Sequence, residues 1–372
     1  MATSKFGLPG VAGMLVGPAV KENNGSSHCS SHGLLAYGAG SSIVIVDVRS
    51  MQIVTVLPMP CPGTTASQAA PFVTALQWTP EGLQSDLVDE SLTGNLHLAV
   101  GDRQGRIAIW NVRCGDVSMW LGLEADKGRL GIQDVCWVYG KPWLLLSIHG
   151  TSLISIWDTT TGRSIWRLDA SPEILTCVKR DPFDARQICI VSSKGLLLSV
   201  YIGGLLELDI SVKRHQLNIL EERSSNAIAG AGKGNGAAVS ERDVGKDGGS
   251  VSSISYSATS AAASQTLLAG NNGRCLFSTS SRGILYITFP RELFVFDLQF
   301  GTVLSNSSLP RGCSRFLDLI ANADGDVVYC AHVDGKLTAW LRKQWVLLSK
   351  LFGLYVFFIC KVYILIVLLH KF

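Results

Sequence analysis

The sequence predicts an all-β fold, a β-propeller of about six recognisable blades that is incompletely closed, with a hydrophobic helix after it. Three observations predict it. Charged residues make up 16% and hydrophobic residues 47% of 372 residues, with 38 glycines, a composition suited to a β-rich core with many tight turns. Six stretches alternate like strands and end in an aromatic or branched residue, often followed by an acid or amide. Taking Val46, Trp110, Trp157, Val200, Phe296 and Trp340 as equivalent, three of the intervals are about 43 to 47 residues, the period of a four-stranded blade.

The elements follow in order. Residues 1–30 read as a disordered arm. Met1 to Gly25 is broken by Pro and Gly and lacks the continuous apolar run of a secretory signal. No acid precedes Glu22, so an organellar transit peptide is the minor alternative. His28-Cys29-Ser30-Ser31-His32 offers three metal-ligating side chains but no fourth ligand, and reads as a solvated loop.

Residues 31–340 read as the propeller. Its strand pairs are Leu34 to Val48, Leu98 to Val112, Leu144 to Thr159, Ile188 to Ile202, Leu285 to Leu298 and Val327 to Trp340. Hairpin signals stand at Gln104-Gly105, Lys194-Gly195 and Asp334-Gly335, where glycine supplies a positive φ. Trp110, Trp157 and Trp340 read as inter-blade core. The longer intervals hold insertions. One, around Thr79 to Asn95, is acidic. The other, about 218–264, is nearly all Gly, Ala, Ser and charge, with Tyr256 as the only aromatic from Glu221 to Ser264; it predicts a flexible excursion. Within it, Gly230 to Gly236 lacks the Gly-Lys-Ser/Thr ending of a phosphate loop and reads as linker.

Residues 344–369 read as a hydrophobic segment and candidate transmembrane helix. Leu351 to Leu369 approaches the length needed to cross a bilayer. Its Leu, Ile, Val and Phe residues favour insertion by roughly 6 kcal/mol, against about 3 kcal/mol for Lys361 near the centre. Arg342, Lys343 and Lys350 would keep the propeller cytosolic and make the run a tail anchor. Two alternatives stand beside it. One reads the tail as translated non-coding sequence ending a truncated form without independent function, the other as a strand pair completing the propeller, which the missing period-two alternation disfavours.

Trp157-Asp158 matches the Trp-Asp ending of WD-repeat blades, and Trp110-Asn111 and Phe296-Asp297 nearly match it. The turn Asp six residues before the Trp survives only as Asp334; Gln104 and Thr151 stand at the corresponding positions, and no Gly-His pair opens the blades. The departure predicts that the hydrogen-bonded Asp-His-Ser-Trp network is mostly absent and that packing holds the blades. Ile132-Gln133-Asp134-Val135, Leu144 to His149, Thr161-Gly162, Trp166, Asp181-Pro182-Phe183-Asp184 and Pro290-Arg291-Glu292 further resemble the N-terminal region of the WD repeat-containing protein 11 family, in its plant-type form. The resemblance covers roughly residues 30 to 340. It implies a longer, two-propeller parent that acts as a scaffold in endosome-to-Golgi vesicle capture at the trans-Golgi network. It also implies vesicle-tethering protein partners and a cytoplasmic location peripheral to Golgi or endosomal membranes. The parent propeller would close with about seven blades, hence the expectation of an open disc.

Other chemistries are weaker. A formal net charge of +3, with Lys and Arg scattered, builds no field for nucleic acid. Ten cysteines without a CxxC pair fit a reduced, intracellular setting. Asp158 to Trp166 resembles the tryptophan-docking motif of quinoprotein propeller enzymes, but its only echo is Asn111 to Trp120, so a turn followed by a packing Trp is the simpler reading. His149 and His332 read as satisfied turn histidines. No catalytic triad or carboxylate pair can be assembled, and no cofactor or metal is implied. The expected function is therefore non-enzymatic presentation of loops to protein partners, with Arg103, Arg163 and Arg291 as candidate contacts.

Overall fold

The computed structural model describes residues 21–60, 71–80, 96–122, 130–138, 144–184, 186–203, 209–219, 273–321, 327–341 and 346–351. Blade one comprises β1 (Ser27–Cys29), β2 (Leu34–Ala39), β3 (Ser42–Asp47) and β4 (Gln52–Pro58); blade two comprises β5 (Val73–Trp78), β6 (His97–Asp102), β7 (Arg106–Asn111) and β8 (Asp116–Gly122). Blade three is β9 (Ile132–Trp137), β10 (Leu144–His149), β11 (Leu153–Asp158) and β12 (Arg163–Asp169). Blade four is β13 (Leu175–Arg180), β14 (Gln187–Ser192), β15 (Leu196–Ile202) and β16 (Ile210–Gln216). Blade five is β17 (Arg274–Phe277), β18 (Ile284–Phe289), β19 (Glu292–Asp297) and β20 (Thr302–Ser308), and blade six is β21 (Phe316–Ala321), β22 (Val327–His332), β23 (Leu337–Leu341) and β24 (Val346–Leu351). Each blade is one antiparallel four-stranded sheet paired in chain order, and the chain is a six-bladed β-propeller.

The letters explain the layering. The second and third strands of each blade are sandwiched on both faces, so they are apolar almost throughout: every residue of β10 is buried. Fourth strands lie at the outer edge and alternate, as β12 does between exposed and half-buried positions. First strands are innermost and meet the first strands of the neighbouring blades.

Five hydrophobic clusters join successive blades. Ile45 packs with Trp110 between blades one and two, Ile107 with Trp157 between two and three, and Ile156 with Val200 between three and four. Leu197 packs with Phe296 between blades four and five, and Val295 with Trp340 between five and six. The fifth residue of the third strand in blades two to five, and the fourth, Trp340, in blade six, thus faces the preceding blade. In blade one that residue is Val46, and among the described residues no cluster of this kind joins it to blade six. The seam is asymmetric. Leu317 of β21 is 45% exposed, whereas Leu35 and Val44 on the far face of blade one are buried.

Two sequence readings need correction. Of the arm expected over 1–30, residues 1–20 lie outside the described residues, but 21–30 are structured: Lys21–Asn23 is a short 3-10 turn, and Ser27–Cys29 is the inner strand of blade one. Asn23 is fully buried, donating from Nδ2 to the Gly40 and Val73 carbonyls and accepting the Gly40 amide, so it ties the arm to blades one and two. His28 is not in a solvated loop, because its carbonyl accepts the Trp78 indole N–H at 3.1 Å. At the other end, the hydrophobic segment does not begin as a helix. Val346–Leu351 is a strand that pairs with β23 and completes blade six. Six residues with no strict alternation fit strand or helix equally, and here the open edge of β23 decides. Residues 352–369 of the candidate membrane span lie outside the described residues, as do 220–264 of the insertion. Among the described residues no helix is long and apolar enough to cross a membrane.

Candidate docking rims and inner cluster

Four antiparallel strands per blade place all third-to-fourth-strand turns on one rim and all second-to-third-strand turns on the other. The first rim is built on the acid or amide that ends the third strand. Asp47 Oδ1 accepts the Arg49 amide at 3.0 Å, Asn111 Oδ1 the Arg113 amide at 3.2 Å, Asp158 Oδ1 the Thr160 amide at 2.9 Å and Asp297 Oδ1 the Gln299 amide at 2.8 Å. Four residues later the backbone is left-handed in each case: Met51 (φ 57), Gly115 (φ 72), Gly162 (φ 71) and Gly301 (φ 67). The fourth strand bulges at the same place in these blades, with Val54, Ser118, Ile165 and Leu304 as the extra residue opposite the step into Val46, Trp110, Trp157 and Phe296. The second letter of the Trp-Asp pair is therefore a turn cap. At Asp158, burial pushes the carboxyl up, but hydrogen bonds from Thr160 and Thr161 outweigh it and hold the group below the ordinary carboxylate range.

The first letters are core. Trp110, Trp157, Phe296 and Trp340 are all buried. The sequence predicts the hydrogen-bonded Asp-His-Ser-Trp network mostly absent, and two of these side chains do carry a polar relay. In blade three the Trp157 indole donates to Ser147 Oγ at 2.7 Å, and Ser147 lies 2.8 Å from His149 Nε2. In blade six the Trp340 indole donates to Thr338 Oγ1 at 3.1 Å, with His332 Nε2 3.0 Å from that hydroxyl and His332 Nδ1 2.7 Å from the Ser314 carbonyl. Blade two has Val100 where blade three has Ser147, and Trp110 Nε1 is buried without a partner among the described residues. His149 and His332 both end the second strand, a position filled by Asp102 in blade two and Ser192 in blade four. Asp102, not Gln104, caps its turn: it is fully buried, accepts the Gln104 and Arg106 amides and pairs with the Arg106 guanidinium at 2.7 Å. Asp334 lies exposed in its turn and pairs with Lys336 at 2.9 Å.

The three candidate contact arginines do not share a face. Arg103 and Arg291 stand exposed on second-to-third-strand turns of blades two and five, whereas Arg163 opens β12 on the opposite rim. In the span from Asp158 to Trp166, Asp158 and Gly162 form the capped turn and Trp166 packs against the core of blades three and four.

The inner strands carry a charged cluster that the sequence did not reveal. Asp134 of β9 accepts the Val178 amide of blade four at 2.9 Å. Lys179 of β13 is opposed by burial, but Cys177, Asp134 and Asp318 hold its ammonium above the ordinary lysine range. Arg274 of β17 donates to the Thr176 carbonyl at 3.5 Å and is likewise sustained against burial by Asp318. Blades three to six each supply one or two of these residues, so their separation in sequence hides the assembly. Opposite charges thus act on one another across the inner strands, Asp134 and Asp318 on Lys179 and Asp318 on Arg274. Among the described residues, no three His, Cys, Asp or Glu side chains converge as metal ligands.

Comparison with known proteins agrees with this architecture. The family model described as WDR11 first beta-propeller matches residues 17–351. WD repeat-containing protein 11 of Mus musculus and that of Homo sapiens are each 24% identical over 343 residues, covering 89% of this chain and 25% of the relative. U3 small nucleolar RNA-associated protein 4 of Saccharomyces cerevisiae is 27% identical over 140 residues, 36% of this chain and 17% of that protein. The chain spans about a quarter of the length of the WD repeat-containing protein 11 relatives it matches. With blade count, capped Trp-Asp turns and family match in agreement, the chain belongs to the WDR11 first beta-propeller family.

Proposed function

We propose that this chain is a non-enzymatic scaffold whose rims dock protein partners and that, as the family resemblance implies, it serves vesicle capture at the trans-Golgi network from the cytosolic side of Golgi or endosomal membranes. The observation that carries the scaffold reading is the repeated capped turn: four blades hold exposed residues on short, hydrogen-bonded mounts. Such mounts present side chains with little freedom left to lose, as a docking surface requires. The trafficking role rests on the resemblance, and its partners are vesicle-tethering proteins.

The experiment uses two charge reversals on opposite rims. Arg163→Glu alters the capped-turn rim, and Arg103→Glu with Arg291→Glu alters the other. Tethering proteins captured by the tagged chain are quantified by mass spectrometry. Loss of capture, by about tenfold, in one variant only would assign the docking rim. Capture of no tethering protein by the unaltered chain would sink the trafficking role, and equal capture by all three would sink the arginine assignment.

A further inference from the structure

Cys177 of β13 and Cys275 of β17 lie on the inner strands of adjacent blades, 98 positions apart, with their sulfurs 3.6 Å from each other. Both are buried in the cluster joining blades four and five. Their strands are held together at this point. Thr176 Oγ1 donates to the Gly273 carbonyl at 2.7 Å, and the Arg274 guanidinium reaches the Thr176 carbonyl, so the residues flanking both thiols are bonded across the interface. A disulfide needs its sulfurs about 2.05 Å apart, so the two sulfurs must close by roughly 1.5 Å.

We infer that Cys177 and Cys275 form a redox-sensitive dithiol that a small hydroperoxide closes into a disulfide between blades four and five. The surroundings divide the labour. The hydrogen bond from Cys275 draws the Cys177 thiol below the ordinary range against its burial, with Lys179 and Arg274 adding to the effect, whereas Cys275 is raised. Cys136, Cys189 and Cys330 are raised by burial. Cys177 is thus the attacking thiolate. Its sulfur attacks the peroxide, the S–O bond forms, the O–O bond breaks and water leaves, giving a sulfenic acid. The Cys275 sulfur then attacks the Cys177 sulfur, the S–S bond forms, the S–O bond breaks, and hydroxide departs with the Cys275 proton as a second water. Two thiols are oxidised and one hydrogen peroxide is reduced.

The folded full chain is treated with hydrogen peroxide, then unfolded in an alkylating agent and mapped by peptide mass spectrometry. The expected product is a Cys177–Cys275 cross-linked peptide, lighter by two hydrogens and released by dithiothreitol, forming at least about tenfold faster than Cys189 or Cys330 is lost. A Cys275→Ala chain should instead accumulate a sulfenic acid at Cys177 that a dimedone probe traps. If Cys177 and Cys275 stay as available to alkylation as Cys189, or cross-link to other cysteines, the pair is only packing. The wild-type map decides this even where the variant does not fold.

Discussion

Ser147 is the pivot of blade three. It accepts from Trp157 and faces His149, so replacing it by alanine strands a buried indole N–H and costs about 1 to 3 kcal/mol, measured by denaturant unfolding. His149 gives the relay a pH limit. Burial, with Arg167 adding, lowers its pKa to about 4, so the fold favours the neutral ring. Its contribution is complete above the unfolded value near 6.5 and is lost as pH falls from there towards 4, on the order of 3 kcal/mol in all. Comparing unfolding midpoints of wild type and His149→Gln at pH 7 and pH 5 checks this; equal acid losses would show that His149 is not the group. At this scale Trp157-Asp158 was legible because its two letters are adjacent in the chain. The Ser147 and His149 partners were not, since only strand pairing brings residues ten and eight positions away onto the indole.

The turn between third and fourth strands repeats as one element, with an acid or amide cap and a left-handed fifth residue. Asp158→Ala removes hydrogen bonds to Thr160 and Thr161, and about 1 kcal/mol is expected from its loss. Gly162→Ala adds a Cβ where φ is +71° and costs about 1 to 2 kcal/mol. In thermal melts both should lower the midpoint, and the double variant should lose less than the sum because the two changes share one turn. A fully additive result would mean that the cap and the bend act separately. Blade period, hairpin turns and inter-blade tryptophans could all be read from the letters. The edge strands could not: β1 has three residues with no apolar alternation, and β24 sits in a run whose length also suits a helix. Both are strands because a neighbouring edge supplies their hydrogen bonds.

Across the whole molecule, stability is a series of neighbour interfaces, and among the described residues blade six shares a hydrophobic cluster with blade five alone. A charge placed in the five–six cluster by Val328→Asp should release blade six alone, so amides of β21 and β22 exchange quickly while those of blades two to four stay protected. The same change at Ile156, between blades three and four, should unprotect both flanking blades. Hydrogen exchange followed by mass spectrometry separates the two, and uniform loss in the Val328→Asp chain would show one cooperative unit. The inner charged cluster belongs to this scale as well. Its residues stand at positions 134, 179, 274 and 318, and only the packing of successive inner strands brings their charges to act on one another.

The two rims also differ in what a binding event leaves to be ordered. On the capped-turn rim of blades one, two, three and five the connections are four residues long, and a side-chain cap already fixes each backbone. The opposite rim takes the connections between blades, such as residues 309–315 between β20 and β21. Calorimetry of a ligand seated on the capped rim should show a small entropic penalty with modest enthalpy. A ligand that enlists the inter-blade connections should show the compensated signature of coupled ordering. The heat of binding alone would then report which side of the propeller a partner uses.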